Sequence, residues 1–372
     1  MLFRSAPANL CSGTNTSNTC QPILSNPFPQ GATTIPLATL MNTAALNAAS
    51  PAPAIVGHSV RNPTPAQQTY TLGIERQALG GLVEIAYAGS RTTHLTFAYN
   101  PNETQPGPST TSTASRRLIQ PLNNISTWAQ LDQINSSNYN GLQTKYTKRY
   151  SHGLTALLGY TYSKSLDEGG SAASGGGTAG NPQTITNLLG GYGASGFDQK
   201  HRFVGSLNYE LPFGGGRAML NQGFVSHIVG GFEVDTIVTY GSGAPFTVTL
   251  NTNVSGASNS WPDRIGSGKI DHGNPSRFFD TTAFIAPTTP RYGNSARSVL
   301  YGPTTKNWDM SVQRRFKLYE SMSLALKFDA FNTFNTPNFS TPNAAIGGSN
   351  AGKILSTVND NRDLQASATF SF

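Results

Sequence analysis

The chain has 372 residues, of which 12% are charged, 37% are hydrophobic and 39 are glycine. This composition favours a β-rich protein with long irregular connections over a helical one. No run of about 18 apolar residues occurs, which excludes a transmembrane helix, whereas barrel strands are only half apolar and are compatible with low hydropathy. The net charge of +7 comes from basic residues that are mostly spread singly, so no nucleic-acid-binding face is expected.

Residues 1–68 are rich in Pro, Ser, Thr and Ala and contain the two cysteines of the chain, Cys11 and Cys20. No His or further Cys lies near them at the spacing of a zinc site, so a local disulfide on an exported surface loop is predicted. The first residues lack the charged start and apolar core of a secretory signal. An exported protein with such a start implies a cleaved, truncated or misassigned N-terminus.

Alternation of apolar and polar residues predicts nine β-strands in the remainder of the chain. Because successive side chains on a strand point to opposite faces, each segment has one apolar and one polar face. In chain order the predicted strands are 70–77, 82–89, 142–150, 154–164, 202–211, 232–250, 308–316, 322–330 and 364–372. The last of them ends on an aromatic residue, Phe372. Alone, it fits an edge strand of a soluble β-sandwich as well as a strand of an outer-membrane barrel.

The connections between the predicted strands alternate between short and long. Short turns on one side and long loops on the other are typical of an outer-membrane barrel, with the turns in the periplasm and the loops outside the cell. A β-sandwich has no reason to sort its connections in this way. The cations Arg76, Lys148 and Arg314 fall on apolar faces close to the short turns, where a charge on the lipid side costs little. Both patterns favour an antiparallel transmembrane β-barrel.

The odd number of strands makes a complete barrel unexpected, because bacterial single-chain barrels normally have an even number with both ends in the periplasm. Nine strands place the start of the chain outside. We therefore expect residues 69–372 to form about nine or ten strands at the C-terminal end of a larger barrel, preceded by an extracellular loop or its remnant in residues 1–68. The acids of the long loops, Asp167, Asp263 and Asp280 among them, are expected to be solvated.

A series of short motifs runs along residues 69–372. They are 138–143 (NYNGLQ), 148–154 (KRYSHGL), 160–165 (YTYSKS), 201–203 (HRF), 211–214 (LPFG), 242–246 (SGAPF), 307–309 (NWD) and 331–339 (FNTFNTPNF). In order and spacing they resemble the C-terminal barrel of TonB-dependent receptors of the Oar-like, acidobacterial type. Such receptors carry an N-terminal carboxypeptidase-regulatory-like domain and a plug.

The resemblance implies a barrel of the 22-stranded type that takes up a bulky nutrient across the outer membrane, with energy relayed by TonB to the plug. This chain contains no segment that resembles a plug, so TonB is expected to act only through a plug that the chain lacks. By similarity, Phe370 and Phe372 belong to the C-terminal signal that the barrel-assembly machinery reads. The implied location is the outer membrane of a Gram-negative cell, in contact with its lipid.

Charged residues on the polar faces of the predicted strands form the one collective polar feature of the sequence. They are Glu84, Lys145, Arg149, Arg202, Glu210, Asp235, Arg315, Lys327 and Asp329. Mixed signs inside a wide barrel typically hold a plug and line a polar passage. Pairing between neighbouring strands explains the same residues equally well.

No group of residues in the sequence indicates catalysis, a cofactor or a metal. The six histidines are scattered singly, and no nucleophile, base and orienting group converge. The leading hypothesis is thus the barrel of a TonB-dependent receptor rather than an enzyme. A passive porin-like or adhesive barrel is the first alternative, and a secreted carbohydrate-binding β-sandwich is the second. The solute stays open between siderophore, cobalamin, glycan and peptide.

Overall fold

The fold was derived from a computed structural model of the protein. It describes residues 55–59, 62–119, 122, 125, 128–169, 181–220, 222–252, 260–271, 273–319 and 321–372. Cys11 and Cys20 lie outside these residues, so their disulfide stays a prediction.

In the described residues, nine long strands form one sheet in which each of them pairs antiparallel with the next long strand along the chain. They are β1 (Ala66–Ala78), β2 (Gly81–Tyr99), β3 (Trp128–Ser151), β4 (Leu154–Asp167), β5 (His201–Glu210), β6 (Phe232–Gly241), β7 (Thr305–Tyr319), β8 (Met322–Phe331) and β9 (Asp363–Ser371). Two short strands join the same sheet: Ile55–His58 pairs parallel with β3, and Gly193–Ala194 pairs antiparallel with β4. The expectation of an all-β, antiparallel architecture is confirmed.

The sheet is open. Among the described residues, β1 pairs only with β2 and β9 pairs only with β8, so the two outer strands do not meet to close a barrel. A second large sheet is not found in the same parts of the chain, where the remaining sheets have two strands each. The alternative of a β-sandwich therefore does not fit this architecture.

The two ends of the sheet differ in their connections. At one end, here called the short-turn end, β1 joins β2 through Leu79 and Gly80, and β3 joins β4 through His152 and Gly153. All four residues have positive φ, as the tight turns of two-residue hairpins require. The long loops that follow Tyr99, Asp167, Gly241 and Phe331 begin at the opposite end, here called the loop end, and return to it at Trp128, His201, Thr305 and Asp363.

One connection at the short-turn end is not a tight turn. β5 and β6 are joined by residues 211–231, which contain the helix α1 (Gly223–Val229). The expectation of short turns throughout this end is therefore wrong at one of its connections. In the described parts of the chain, no helix is long and apolar enough to cross a bilayer.

Several strand boundaries differ from the sequence-based expectation. The predicted strand 232–250 ends at Gly241, and its remainder forms two-residue strands within the loops, Pro245–Phe246 and Thr249–Leu250. β2 and β3 run much further towards the loop end than predicted, and their pairing continues past a register shift beyond Thr92. Polar residues dominate this extension, which is why alternation did not reveal it.

The hydrophobic core lies outside the sheet, in the loops. Its buried cluster contains Phe246, Val248, Phe279, Phe284 and Leu300. The chain segments that supply these residues are held by three pairs of two-residue strands: Pro245–Phe246 with Leu300–Tyr301, Thr249–Leu250 with Ala345–Ile346, and Asp263–Arg264 with Phe284–Ile285. Short 3-10 helices complete this region at Ala114–Arg116, Ile185–Gly191 and Thr281–Ala283. We call the four long loops together the loop layer.

Candidate membrane and solute-facing surfaces

One face of the sheet is apolar from edge to edge. Leu72 pairs with Tyr87, Tyr87 pairs with Leu142, and Leu142 pairs with Tyr162, and residues paired across strands share a face. The large exposed apolar side chains on this face are Tyr70, Leu72, Ile74, Ile85, Tyr87, Leu142, Tyr160, Tyr162, Trp308, Leu326, Phe328, Leu364 and Phe370. Leu72 and Ile74 are 75% and 73% exposed. A continuous apolar surface of this extent is typical of contact with another apolar phase.

Charged and amide side chains interrupt the apolar face near its ends, whereas the hydroxyl residues Thr144 and Thr236 lie in its middle. Towards the loop end, the side-chain oxygen of Asn140 accepts hydrogen bonds from Tyr70 Oη at 2.9 Å and Tyr87 Oη at 2.6 Å. At the short-turn end, Arg76 and Arg314 occupy register positions of the same face. A cation there costs about 0–1 kcal/mol, against about 2–4 kcal/mol at the midplane of a bilayer. A band without charged side chains lies between these groups.

The opposite face carries the nine charged residues singled out in the sequence. Lys145 Nζ lies 3.0 Å from Glu84 Oε1, and Lys327 Nζ lies 2.8 Å from Asp329 Oδ1. Asp235 accepts a hydrogen bond from the side-chain amide of Asn208 at 2.6 Å. Lys145 and Asp235 thus have partners on neighbouring strands, whereas Lys327 and Asp329 pair within one strand.

The other charged residues of this face surround open space or lie near the turns. Arg149 lines a cavity of about 780 Å³ together with Glu84 and Lys145, and Arg202 lines a second cavity of about 310 Å³. Glu210, at the end of β5, accepts hydrogen bonds from Arg217 at 2.5 Å and from Tyr150 Oη at 2.9 Å. Arg315 lies opposite Ala325 of β8. The role of all nine residues towards a plug or a solute stays a prediction.

The polar face also carries an apolar patch that the sequence analysis missed. Leu157 and Ile237 both pair with Ser206 from opposite sides, and Val204 lies two residues before Ser206 on β5. All three apolar side chains are exposed. Each is an apolar residue at a position where the alternation of its strand predicts a polar one. The register between the strands brings them together, and we call Leu157, Val204 and Ile237 the apolar patch.

A buried ion pair joins the loop after β6 to the last residue of β4. Arg297 Nη2 lies 2.5 Å from Asp167 Oδ1, with both side chains almost fully buried. The same guanidinium donates hydrogen bonds to the backbone oxygens of Gly191 and Asp167, both at 2.6 Å. Burial lowers the pKa of Arg297, and the charge of Asp167 opposes that shift. The expectation that Asp167 is a solvated loop acid is therefore wrong.

Asp263 is a second loop acid that is not solvated. Its two carboxylate oxygens accept hydrogen bonds from Arg291 at 2.9 and 2.6 Å, and the Asn294 backbone N–H donates to Oδ1 at 3.0 Å. The bonds from Arg291 hold the pKa of Asp263 below its ordinary value. Asp280, by contrast, stays at the surface, where hydrogen bonds from Thr282 lower the pKa of its carboxyl.

A cavity of about 480 Å³ opens between two of the loops. Its lining is uncharged and includes Gln183, Asn187, Trp261, Tyr292 and Asn294. The side chain of Gln183 spans the gap. Its amide N–H donates to the backbone oxygen of Gly293 at 2.8 Å, and its Oε1 accepts from the backbone N–H of Trp261 at 3.2 Å. No group of His, Cys, Asp and Glu that can hold a metal is found in the described parts of the chain.

Residues 3–365 match a family described as an outer membrane beta barrel domain. The chain belongs to this family. The protein is therefore located in the outer membrane, where an exposed apolar sheet face is suited to contact with lipid. Among curated proteins, no sequence matches this chain.

Three solved structures illustrate the resemblance in fold. The outer membrane transporter YddB from Escherichia coli is 7% identical, with a TM-score of 0.44 over 86% of this chain and 35% of its own. The FrpB iron transporter from Neisseria meningitidis is 11% identical, with a TM-score of 0.38 over 86% and 33%. The pyoverdine outer membrane receptor FpvA from Pseudomonas aeruginosa is 11% identical, with a TM-score of 0.38 over 82% and 29%. The chain spans about a third of the length of these proteins.

Proposed function

We propose that this chain forms part of the barrel wall of a TonB-dependent receptor of the Oar-like type, which takes up a bulky solute across the outer membrane. The short-turn end is then periplasmic and the loop layer is extracellular. The observation that carries the proposal is the single antiparallel sheet with a lipid-type face on one side and a face of mixed charges on the other. The sequence motifs between residues 138 and 339 supply the resemblance to Oar-like receptors.

The open edges of the sheet favour a barrel larger than nine strands. Backbone N–H and C=O groups that face hydrocarbon without a partner cost several kcal/mol each. In the described residues, the outer edges of β1 and β9 have no such partners. Further strands that pair with both edges remove this cost, and a barrel of the 22-stranded type supplies them.

The apolar patch favours a filled barrel over a water-filled pore. A porin lumen is polar because water fills it, and a cluster such as Leu157, Val204 and Ile237 gains nothing there. Apolar contact surrounded by charges suits a protein plug. In this proposal the plug and the solute meet Glu84, Lys145, Arg149, Arg202, Glu210, Asp235, Arg315, Lys327 and Asp329, and TonB acts through the plug.

The C-terminal strand is proposed as the part that the barrel-assembly machinery recognises. The rings of Phe370 and Phe372 lie 6.2 Å apart between centroids and are tilted by 32°, and both side chains are exposed at the short-turn end of β9. An accessible aromatic pair at the periplasmic rim suits recognition before insertion into the membrane.

The DNA upstream of Met1 tests the proposal most directly. We expect an open reading frame that continues upstream with further alternating strands, a plug and a signal peptide. Disruption of that gene, or of the gene for TonB, should abolish uptake of the same solute. Upstream strands without a plug support the passive porin-like or adhesive alternative, and a stop codon next to an unrelated gene contradicts the receptor.

A further inference from the structure

The helix α1 presents three large apolar side chains to its surroundings within seven residues. Phe224 is 79% exposed, and Val225 and Ile228 are about half exposed. Ser226 lies on the other side of the helix and is buried. There the backbones of Gly214 and Gly230 approach so closely that a side chain at residue 214 would collide with Gly230. The helix thus rests with its small residues on the turn and turns its apolar side outward.

Arg314 fixes the helix beside the lipid-facing surface of the sheet. It occupies a register position of that surface, opposite Phe232 on β6 and Leu326 on β8. Its guanidinium donates hydrogen bonds to the backbone oxygens of His227 and Ile228, in the last turn of α1. A cation at this place satisfies carbonyl groups that the end of a helix leaves without partners and complements the helix dipole.

Aromatic rings hold the same guanidinium from the sheet side. The Arg314 Cζ atom lies 4.3 Å from the ring centroid of Phe316 and 5.2 Å from that of Phe232. Arg314 is therefore joined at once to the lipid-facing sheet and to the C-terminal end of α1. The C-terminal end of the helix is thus attached to the apolar face of the sheet at its short-turn rim.

We propose that α1 is an interfacial helix whose Phe224, Val225 and Ile228 insert into the adjacent leaflet of the outer membrane. A helix of seven residues is too short to span a bilayer, and an apolar side on such a helix is buried by lying in the plane of the interface, with the apolar side chains among the upper acyl chains. The occupant is the lipid bilayer, because Arg314 attaches the helix to the rim of the apolar sheet face in a protein located in the outer membrane. The inference rests on the location of the family in the outer membrane, and only the description of this leaflet as periplasmic depends on the function proposed above.

Spin labels on the full chain in outer-membrane vesicles test the proposal. In a Cys11→Ser, Cys20→Ser background, single cysteines are introduced as Phe224→Cys and, in a separate variant, as Val225→Cys. Leu72→Cys supplies the reference for lipid contact, and Thr369→Cys, on the polar face of β9, supplies the reference for water. The measurement is the collision rate of each label with oxygen, which concentrates in lipid, relative to a water-soluble nickel chelate.

The expected result is an oxygen-to-nickel ratio at positions 224 and 225 that approaches that at position 72 and exceeds that at position 369 severalfold. A ratio equal to that at position 369 overturns the proposal. Dipolar broadening between labels at position 224 that survives dilution with unlabelled chain also overturns it, since a second copy is then the occupant. A water-like ratio at position 72 overturns the lipid-facing register itself, which separates that failure from a failure at α1 alone.

Substitution of Arg314 tests how the helix is held. Arg314→Leu keeps the sheet surface apolar but removes the bonds to the helix, so the label at position 224 should become more mobile and lose part of its oxygen preference. Arg76→Leu removes a cation from the same face near another turn and should leave that label unchanged. Equal effects of the two substitutions contradict the role of Arg314.

Discussion

The sheet and the loop layer use apolar side chains in opposite ways. In the sheet, Leu72 and Ile74 project outward with about three quarters of their surface exposed, whereas Phe279 and Phe284 in the loop layer are only 2% exposed. The sheet leaves its apolar side chains uncovered, as a surface suited to lipid does, while the loop layer buries its own as a water-soluble protein does. The stability of the sheet is therefore expected to depend on the membrane around it, whereas the stability of the loop layer depends on its own buried core.

Loss of Phe279 tests the loop layer most severely. Its ring lies 5.6 Å from that of Phe246 and 6.0 Å from that of Phe284. Phe279→Ala should destabilise the loop layer by about 3–5 kcal/mol, since it removes buried contacts and leaves a cavity. Hydrogen exchange should increase in residues 242–304 and stay unchanged in the strands. Leu355→Ala, at an exposed position of the same layer, is the control, and faster exchange in the strands as well would contradict the separation of the two regions.

Loss of the ion pair between Arg297 and Asp167 should destabilise the loop layer by a similar amount. Arg297→Met leaves a buried carboxylate without its partner, which typically costs about 3–5 kcal/mol. The double variant with Asp167→Asn removes the uncompensated charge and should recover part of the loss. The stability of the loop layer in both variants is measured by denaturant titration of the emission of Trp261, which is buried in that layer. Trp128 and Trp308 are first replaced by Phe. No recovery in the double variant would mean that the hydrogen bonds to the loop backbone, rather than the charge, fasten the loops.

A charge on the apolar face tests the sheet. Leu72→Arg places a cation near the middle of the lipid-facing band and should cost about 2–4 kcal/mol of the free energy of unfolding in bilayers. Thr71→Arg introduces the same side chain one residue away on the polar face and should cost far less. Denaturant titration of the chain in vesicles gives both values. Equal costs would show that lipid does not distinguish the two faces.

Acid should affect the loop layer before the lipid-covered surface. The pKa of Asp263 is depressed in the folded protein by Arg291, so its contribution is fully present above its unfolded pKa of about 3.9 and is lost as the pH falls through the lower folded value. Trp261 emission should shift in that window. Asp263→Asn should remove this part of the pH dependence, and an unchanged acid transition in that variant would assign it to another group.

Local alternation predicted most of the sheet because lipid imposes a strict period of two. β4, β8 and β9 were found in this way, and their registers follow from the same pattern. The helix α1 gave no such signal. It has a single pair of turns, contains β-branched residues that are poor helix formers, and depends on Arg314, which is 86 residues from Ile228 along the chain.

The core of the loop layer could not be predicted from local sequence patterns, for a related reason. Phe246, Phe279 and Leu300 come from separate stretches that show no periodicity, and Arg297 is 130 residues from Asp167. A sequence-based prediction places an acid in a Gly- and Ser-rich stretch in solvent, because its distant partner is not known. Loop contacts of this kind depend on tertiary structure that no single segment encodes.

Loss of the ion pair between Lys145 and Glu84 should change stability least. This exposed pair on the sheet is the counterpart of the buried pair Arg297 and Asp167. The side chains of Lys145 and Glu84 are 51% and 26% exposed, against 0% and 4% for Arg297 and Asp167. Because water screens an exposed pair, a double-mutant cycle with Lys145→Gln and Glu84→Gln should give a coupling of about 0.2–1 kcal/mol in this chain. A plug that covers the polar face excludes that water, so the same cycle in a complete receptor should give a larger coupling. An equal coupling in both contexts would mean that this part of the polar face stays wet, and would favour an open passage over a filled barrel.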